Sequence, residues 1–297
     1  MADPSFSGSG VALVTPFDDD GVAEDVLREL IRFHHDHDTD ALIVCGSTGE
    51  AATMTAEEQR LAVEIAVDEN AGRLPVIVGC GGSSTRDVVA LAVQAARAGA
   101  DAVLVSGPPY NKPTQKGLML HVHAVADATD APVILYNVPG RSAVNMLPAT
   151  VAALAEDDRV IGVKEASGDL SQVAEVARLT RGRLALWSGN DDQVLPVLSL
   201  GGRGVISVLA NVAPASTSRM AHAYLEGATA EATSLQLEYL PLIQALFAES
   251  NPIPVKAAVG MLGFAVGGMR LPLTEALPAT RVRLEAALSD VGVLPVD

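Results

Sequence analysis

VIGVKEAS, at residues 160–167, is apolar almost throughout and carries a lysine near its end. Reading it as a buried strand decides the fold. A continuous apolar run, as opposed to an alternating one, suits a parallel strand covered on both faces. Asp169 then stands where a helix cap belongs, and Val173, Val176 and Leu179 recur at helical spacing as far as Gly182. That is one β–α unit, and seven more strand-like runs flank it. They are GVALVTPF (10–17), ALIVCG (41–46), PVIVGCG (75–81), AVLVSGP (102–108), PVILYNVP (132–139), LALWSGN (184–190) and GVISVLAN (204–211).

The segments between these runs are amphipathic. Val26, Leu27, Leu30 and Ile31 share a helical face, and Thr55 with Glu58 and Ser84 with Asp87 have the spacing of capping boxes. Eight such units in about 225 residues predict an α/β chain folded as a (β/α)8 TIM barrel, whose usual size is about 250. An open doubly wound sheet is the alternative, but no GxGxxG follows the first run. We place the barrel, with the active site, at residues 1–227. After Gly227 only helical patterns remain, so residues 228–297 are expected to form a C-terminal helical appendage. Leu235, Leu240, Ile243 and Phe247 dominate one stretch there, with a kink at Pro241, and the appendage is suited to oligomer contacts.

A chain of 297 residues that is 49% hydrophobic can bury a large core. Its net charge of −16 argues against a nucleic-acid partner, because phosphate binding wants the opposite sign. No apolar run reaches the ~18 residues of a membrane span, and the first ten residues lack the features of a signal peptide. Cys45 and Cys80 both lie in apolar runs, as buried thiols of a reducing compartment do. A cytoplasmic protein is expected.

In such barrels the reacting groups sit at the C-terminal ends of strands. Those ends carry GSTGE (46–50), Tyr110 in GPPYNKP, Tyr136 and Arg141 in YNVPGR, Lys164, and SGND (188–191). Singly, each has an ordinary reading as a turn, a core tyrosine or a surface cation. Together they mark one mouth. A free lysine amine is almost wholly protonated at neutral pH, and burial disfavours that charged form. A strand-end lysine in a dry pocket therefore becomes an amine nucleophile.

Such an amine on Lys164 attacks a ketone to give a carbinolamine and then a Schiff base. The iminium withdraws electrons, a neighbouring methyl carbon loses a proton, and the enamine attacks an aldehyde. Tyr136 with Ser47 and Tyr110 supplies hydroxyls for a proton relay. The Ser47 and Thr48 amides suit one carboxylate, and the Arg141 fork suits a second. No cofactor is required. The His34-His35-Asp36-His37 run has metal-ligand residue types, but neighbouring positions of a helix point apart, so no metal site is expected. GGRG at 201–204 reads as a tight turn into a strand.

With these residues in place the chain resembles the dihydrodipicolinate synthase family, within the pyruvate-dependent lyases that also include N-acetylneuraminate lyase. GSTGE, YNVPGR, KEASGD, GGRGVISV with Ala210 and Asn211, and NPIPVK occur in the family's order and spacing, between VTPF at Val14 and LTEAL near Leu273. The resemblance implies condensation of pyruvate with L-aspartate 4-semialdehyde on the route to diaminopimelate and lysine. It implies Lys164 as the Schiff-base lysine and Tyr136 as proton donor and acceptor. Ser47 and Tyr110 become relay partners, with Tyr110 reaching the neighbouring subunit's site in a homotetramer, a dimer of dimers. Arg141 would bind the semialdehyde, and Ile206 would line the pocket.

Departures from the family pattern bear on substrate and control. Ser47 stands where threonine is usual, a form common in the neuraminate-lyase branch. The alternative is thus a lyase acting on a 2-keto sugar acid, against which Arg141, NPIPVK and NKP favour the synthase. Ala56, Gln59 and Pro109 replace the His, His and Tyr of lysine-inhibited members, so little or no inhibition by lysine is expected. Pro109 would also change packing at the tight dimer. A barrel that only binds, without catalysis, is the third reading, and it predicts no covalent attachment of pyruvate.

Overall fold

The structure, a computed structural model, describes residues 6–294. Eight parallel strands close into a barrel: β1 (Gly8–Ala12), β4 (Ala41–Val44), β5 (Val76–Cys80), β6 (Ala102–Ser106), β7 (Val133–Asn137), β8 (Val160–Glu165), β9 (Ala185–Ser188) and β10 (Gly204–Ser207), with β10 pairing back to β1. The short pair β2 (Phe17–Asp18) and β3 (Gly21–Val22) forms a separate hairpin. Helices α1 (Glu24–His35), α2 (Ala56–Asn70), α3 (Thr85–Arg97) and α4 (Gln115–Ala126) cover the first half. The short α5 (Pro139–Ser142) and α6 (Pro148–Leu154) follow β7, and α7 (Leu170–Thr180), α8 (Val194–Ser199) and α9 (Pro214–Leu225) complete the ring. Four further helices end the chain: α10 (Thr229–Glu238), α11 (Leu240–Leu246), α12 (Ile253–Met261) and α13 (Pro278–Asp290). This is a (β/α)8 barrel with C-terminal helices.

The continuous apolar runs conceal a period of two. Ile43, Ile77, Leu104, Ile134, Trp187 and Ile206 fill the barrel interior, whereas Leu42, Val78, Val103, Leu135 and Val205 join the layer packed beneath the helices. Both faces are dry, so the alternation leaves no polar trace in the sequence. Inside, Trp187 stacks on Phe6 at 5.0 Å and donates its indole N–H to the Phe6 carbonyl at 3.1 Å. Gly162 makes room for it, because a Cβ there would lie 2.3 Å from the indole ring.

A register shift decides which way the lysine faces. Val133 pairs with Val160, but Ile134 pairs with Gly162, so Ile161 is an extra residue in β8. Slipping a strand by one residue exchanges its faces. The bulge brings Lys164 level with Tyr136 on one side and Trp187 on the other, both of which belong to the interior set.

Local expectations hold unevenly. Thr55 and Glu58 form a full capping box, with reciprocal bonds of 3.2 and 2.8 Å, and Asp169 caps α7 by accepting from the Ser171 and Gln172 amides. Ser84 makes no side-chain cap; the Asp87 amide bonds to the Ser84 carbonyl at 3.1 Å, and the Asp87 carboxylate accepts from Arg86 at 2.9 Å. The first strand ends at Ala12, short of the expected Phe17, which belongs instead to the hairpin. At Pro241 the chain breaks between α10 and α11 instead of kinking, with the proline in the first turn where its missing N–H costs nothing. The buried face there is Leu242, Ile243, Ala245 and Leu246, while Phe247 is exposed.

Candidate active site

Lys164, next to last in β8, is only 6% exposed. Its Nζ lies 4.6 Å from the centroid of the Tyr136 ring, and among the described residues no carboxylate pairs with it. Gly189 closes on it from the end of β9, where a Cβ would stand 3.1 Å from Lys164 Cε. Beyond Gly189, Asp191 is buried and fully engaged, accepting the Ser207 hydroxyl at 2.5 Å and the Val208 and Leu209 amides at 3.0 and 3.1 Å. Burial raises the Asp191 pKa, against which those hydrogen bonds and the charge of Lys164 act.

The residue after Lys164 is also an acid. Glu165 accepts from Asn137 Nδ2 at 3.1 and 3.0 Å, from the Ser167 amide at 2.7 Å and from Gln172 Nε2 at 3.2 Å. Asn145 joins this cluster through Asn137 and Gln172 at 2.8 and 2.7 Å. Neutral amides thus satisfy the carboxylate, and the ends of β7 and β8 are fixed side by side beneath Tyr136 and Lys164.

The GSTGE loop crosses the mouth from the end of β4. Cys45 and Glu50 bracket it in left-handed backbone, at φ +54° and +55°. Thr48 is buried, and its hydroxyl accepts from Asn251 Nδ2 at 2.9 Å. The Asn251 carbonyl in turn accepts from Arg141 Nη2 at 2.8 Å. One asparagine ahead of α12 therefore ties the loop to Arg141, which is exposed.

The model of the Dihydrodipicolinate synthetase family matches residues 5–291. The chain belongs to this family. A 4-hydroxy-tetrahydrodipicolinate synthase of Thermoanaerobacter sp. (strain X514) is 52% identical over 98% of each chain. The crystal structure of dihydrodipicolinate synthase from Thermotoga maritima superposes with a TM-score of 0.95 at 40% identity, covering 98% of this chain and all of that one. A structure described as the first monomeric dihydrodipicolinate synthase variant reaches 0.96 at 40% identity over 98% of both chains.

Against the family pattern, the fold brings Lys164, Tyr136 and Ile206 to the barrel interior, with Ile206 fully buried. It brings Thr48 and Arg141 together through Asn251. It does not join the relay within one chain: Ser47 is exposed, and the hydroxyls of Ser47, Tyr110 and Tyr136 make no hydrogen bond to one another. Tyr110 is 91% exposed and sits at φ +68°. Its loop is braced by Asn111 Nδ2 donating to the Ser83 carbonyl at 2.5 Å, so the side chain stands out from the surface of its own chain.

Asn251, Glu165 and the amide cluster were not singled out from sequence. The signal was an acid directly after the lysine and an asparagine opening NPIPVK. The histidine run on the opposite side has separate partners, with His34 bonded to Thr39, His35 to Asn70 and His37 to the Phe33 carbonyl. Among the described residues no three His, Cys, Asp or Glu side chains converge, and no helix is long and apolar enough to cross a membrane.

Proposed function

We propose that this chain condenses pyruvate with L-aspartate 4-semialdehyde through a Schiff base on Lys164. The observation that carries the reading is the buried Lys164 amine, paired with no carboxylate among the described residues, over the Tyr136 ring. The amine adds to the pyruvate ketone carbon, and the carbinolamine loses water to leave an iminium. Loss of a methyl proton gives the enamine, whose carbon attacks the semialdehyde carbonyl, and that oxygen takes up a proton. The amino group of the bound semialdehyde then displaces the lysine nitrogen, which closes the ring and restores Lys164. Tyr136, whose ring faces the amine, would carry protons in these steps, with Ser47 as its partner at the rim.

Each substrate carboxylate has a separate anchor. Ser47 and Thr48 amides receive that of pyruvate, and Arg141 receives that of the semialdehyde. Arg141 has one N–H committed to Asn251 and the rest of its fork free. A 2-keto sugar acid would instead call for neutral partners to its hydroxyls. Tyr110, exposed on a braced loop, fits the role of completing a neighbouring subunit's relay in a homotetramer built as a dimer of dimers. Two free, buried cysteines accord with a cytoplasmic setting.

Borohydride reduction in the presence of pyruvate, followed by peptide mass mapping, tests the reading. The expected adduct lies on the Lys164 peptide, and its absence, or an adduct elsewhere, overturns it. Turnover with the semialdehyde compared with sugar aldehydes then fixes the second substrate. Activity measured with millimolar lysine is expected to stay unchanged, since Ala56, Gln59 and Pro109 offer that effector neither imidazole nor phenol.

A further inference from the structure

The C-terminal helices reach the mouth of the barrel through a buried ion pair. Lys256 Nζ, on α12, lies 2.7 Å from Glu50 Oε1 and 2.9 Å from the Gly268 carbonyl, and the two charged side chains are 2% and 1% exposed. The second Glu50 oxygen accepts the Arg270 amide at 3.1 Å. Two cations lie against Phe17, with Lys256 Nζ 4.3 Å and the Arg270 guanidinium carbon 3.8 Å from its ring centroid. On the far side Arg270 grips Glu58 of α2 at 2.6 and 2.9 Å.

Glu50 is the last residue of GSTGE. Its amide bonds back to the Ser47 carbonyl at 3.3 Å, so the same residue closes the turn that contains Ser47 and Thr48. Stability alone gives no reason for the pair, because a buried ion pair is often no better than an apolar pair of the same volume. What it supplies is a fixed position, since a buried carboxylate with a directional partner on each oxygen has one orientation.

We infer that Glu50 and Lys256 are positioning residues for the keto-acid carboxylate, holding the Ser47 and Thr48 amides in place from the C-terminal helices. The inference rests on the Schiff-base reading above. Glu50→Gln combined with Lys256→Met removes both charges at nearly constant volume and leaves no buried charge unpaired. In that double variant KM for pyruvate should rise about tenfold or more, as misplacement of a binding group does, while kcat stays within about twofold. Borohydride labelling of Lys164 at saturating pyruvate should match the wild type, with half-saturation shifted to the same degree as KM.

Arg270→Met is the control. It removes the Glu58 pair but keeps the Arg270 amide on Glu50, and should lower the melting temperature with KM unchanged. An equal rise of KM in this control, or an unchanged KM in the double variant, overturns the inference. If the double variant does not fold, Glu50→Asp carries the test. It keeps the charge but withdraws it by one methylene, and an unchanged KM in that variant is equally fatal. Failure to label the wild type would sink the underlying chemistry instead, so the two failures are distinguishable.

Discussion

Two lysines of this chain are buried, and they differ in what surrounds the amine. Lys256 has a carboxylate at 2.7 Å, a carbonyl at 2.9 Å and the face of Phe17. Burial lowers its pKa, with Glu50 acting in the opposite direction, and its amine is held in a structural ion pair. Lys164 has the face of Tyr136 and no paired carboxylate among the described residues. The neighbouring acids are spoken for, Glu165 by amides and Asp191 by a hydroxyl and backbone N–H groups. On the Schiff-base reading proposed above, reactivity comes from withholding partners from one amine in a fold that supplies them to another of the same type.

Substitution of each lysine should separate the two roles. Lys164→Met is expected to cut turnover more than about a thousandfold and to leave the melting temperature unchanged or higher, since a buried amine without a counter-charge is costly. A large fall in melting temperature would break the comparison. Lys256→Met strands Glu50 and should cost about 3–5 kcal/mol of stability, measured by denaturant unfolding, while the Lys164 adduct still forms. Tyr136→Phe keeps the ring face over the amine and removes only the hydroxyl. Borohydride trapping of pyruvate should persist while turnover falls at least about a hundredfold, and a wild-type rate would remove Tyr136 from the proton path.

A third buried base shows its effect only in acid. His34 has no carboxylate, its Nε2 has no partner among the described residues, and burial first, with His37 and His35 adding, lowers its pKa to about 3. Its folded pKa lies below its unfolded one, so the unfolded chain binds the extra proton. Stability should therefore be complete above about pH 6.5 and decline as pH falls toward 3, by at most about 1.4 kcal/mol per pH unit. Unfolding free energy against pH should show a shallower decline in His34→Asn, and identical slopes would mean that the imidazole titrates alike in both states.

The strands and the lysine were legible because a parallel barrel writes each strand as an unbroken apolar run, and a cation inside such a run stands out. The facing of Lys164 was not, since it depends on one extra residue, Ile161, in a strand whose two faces are equally apolar. Ties such as Glu50 to Lys256 join residues far apart in sequence, and no local spacing signals them. Ser84 and Asp87 show the converse, a correct spacing that forms no side-chain cap.

The interior contains the protein's single tryptophan, directly across the sheet from Lys164 and shielded from solvent. Its emission therefore originates at one known depth, one strand away from the Lys164 amine. Light from Trp187 follows the state of the barrel's centre without a label and without interference from the C-terminal helices, which contain no other indole.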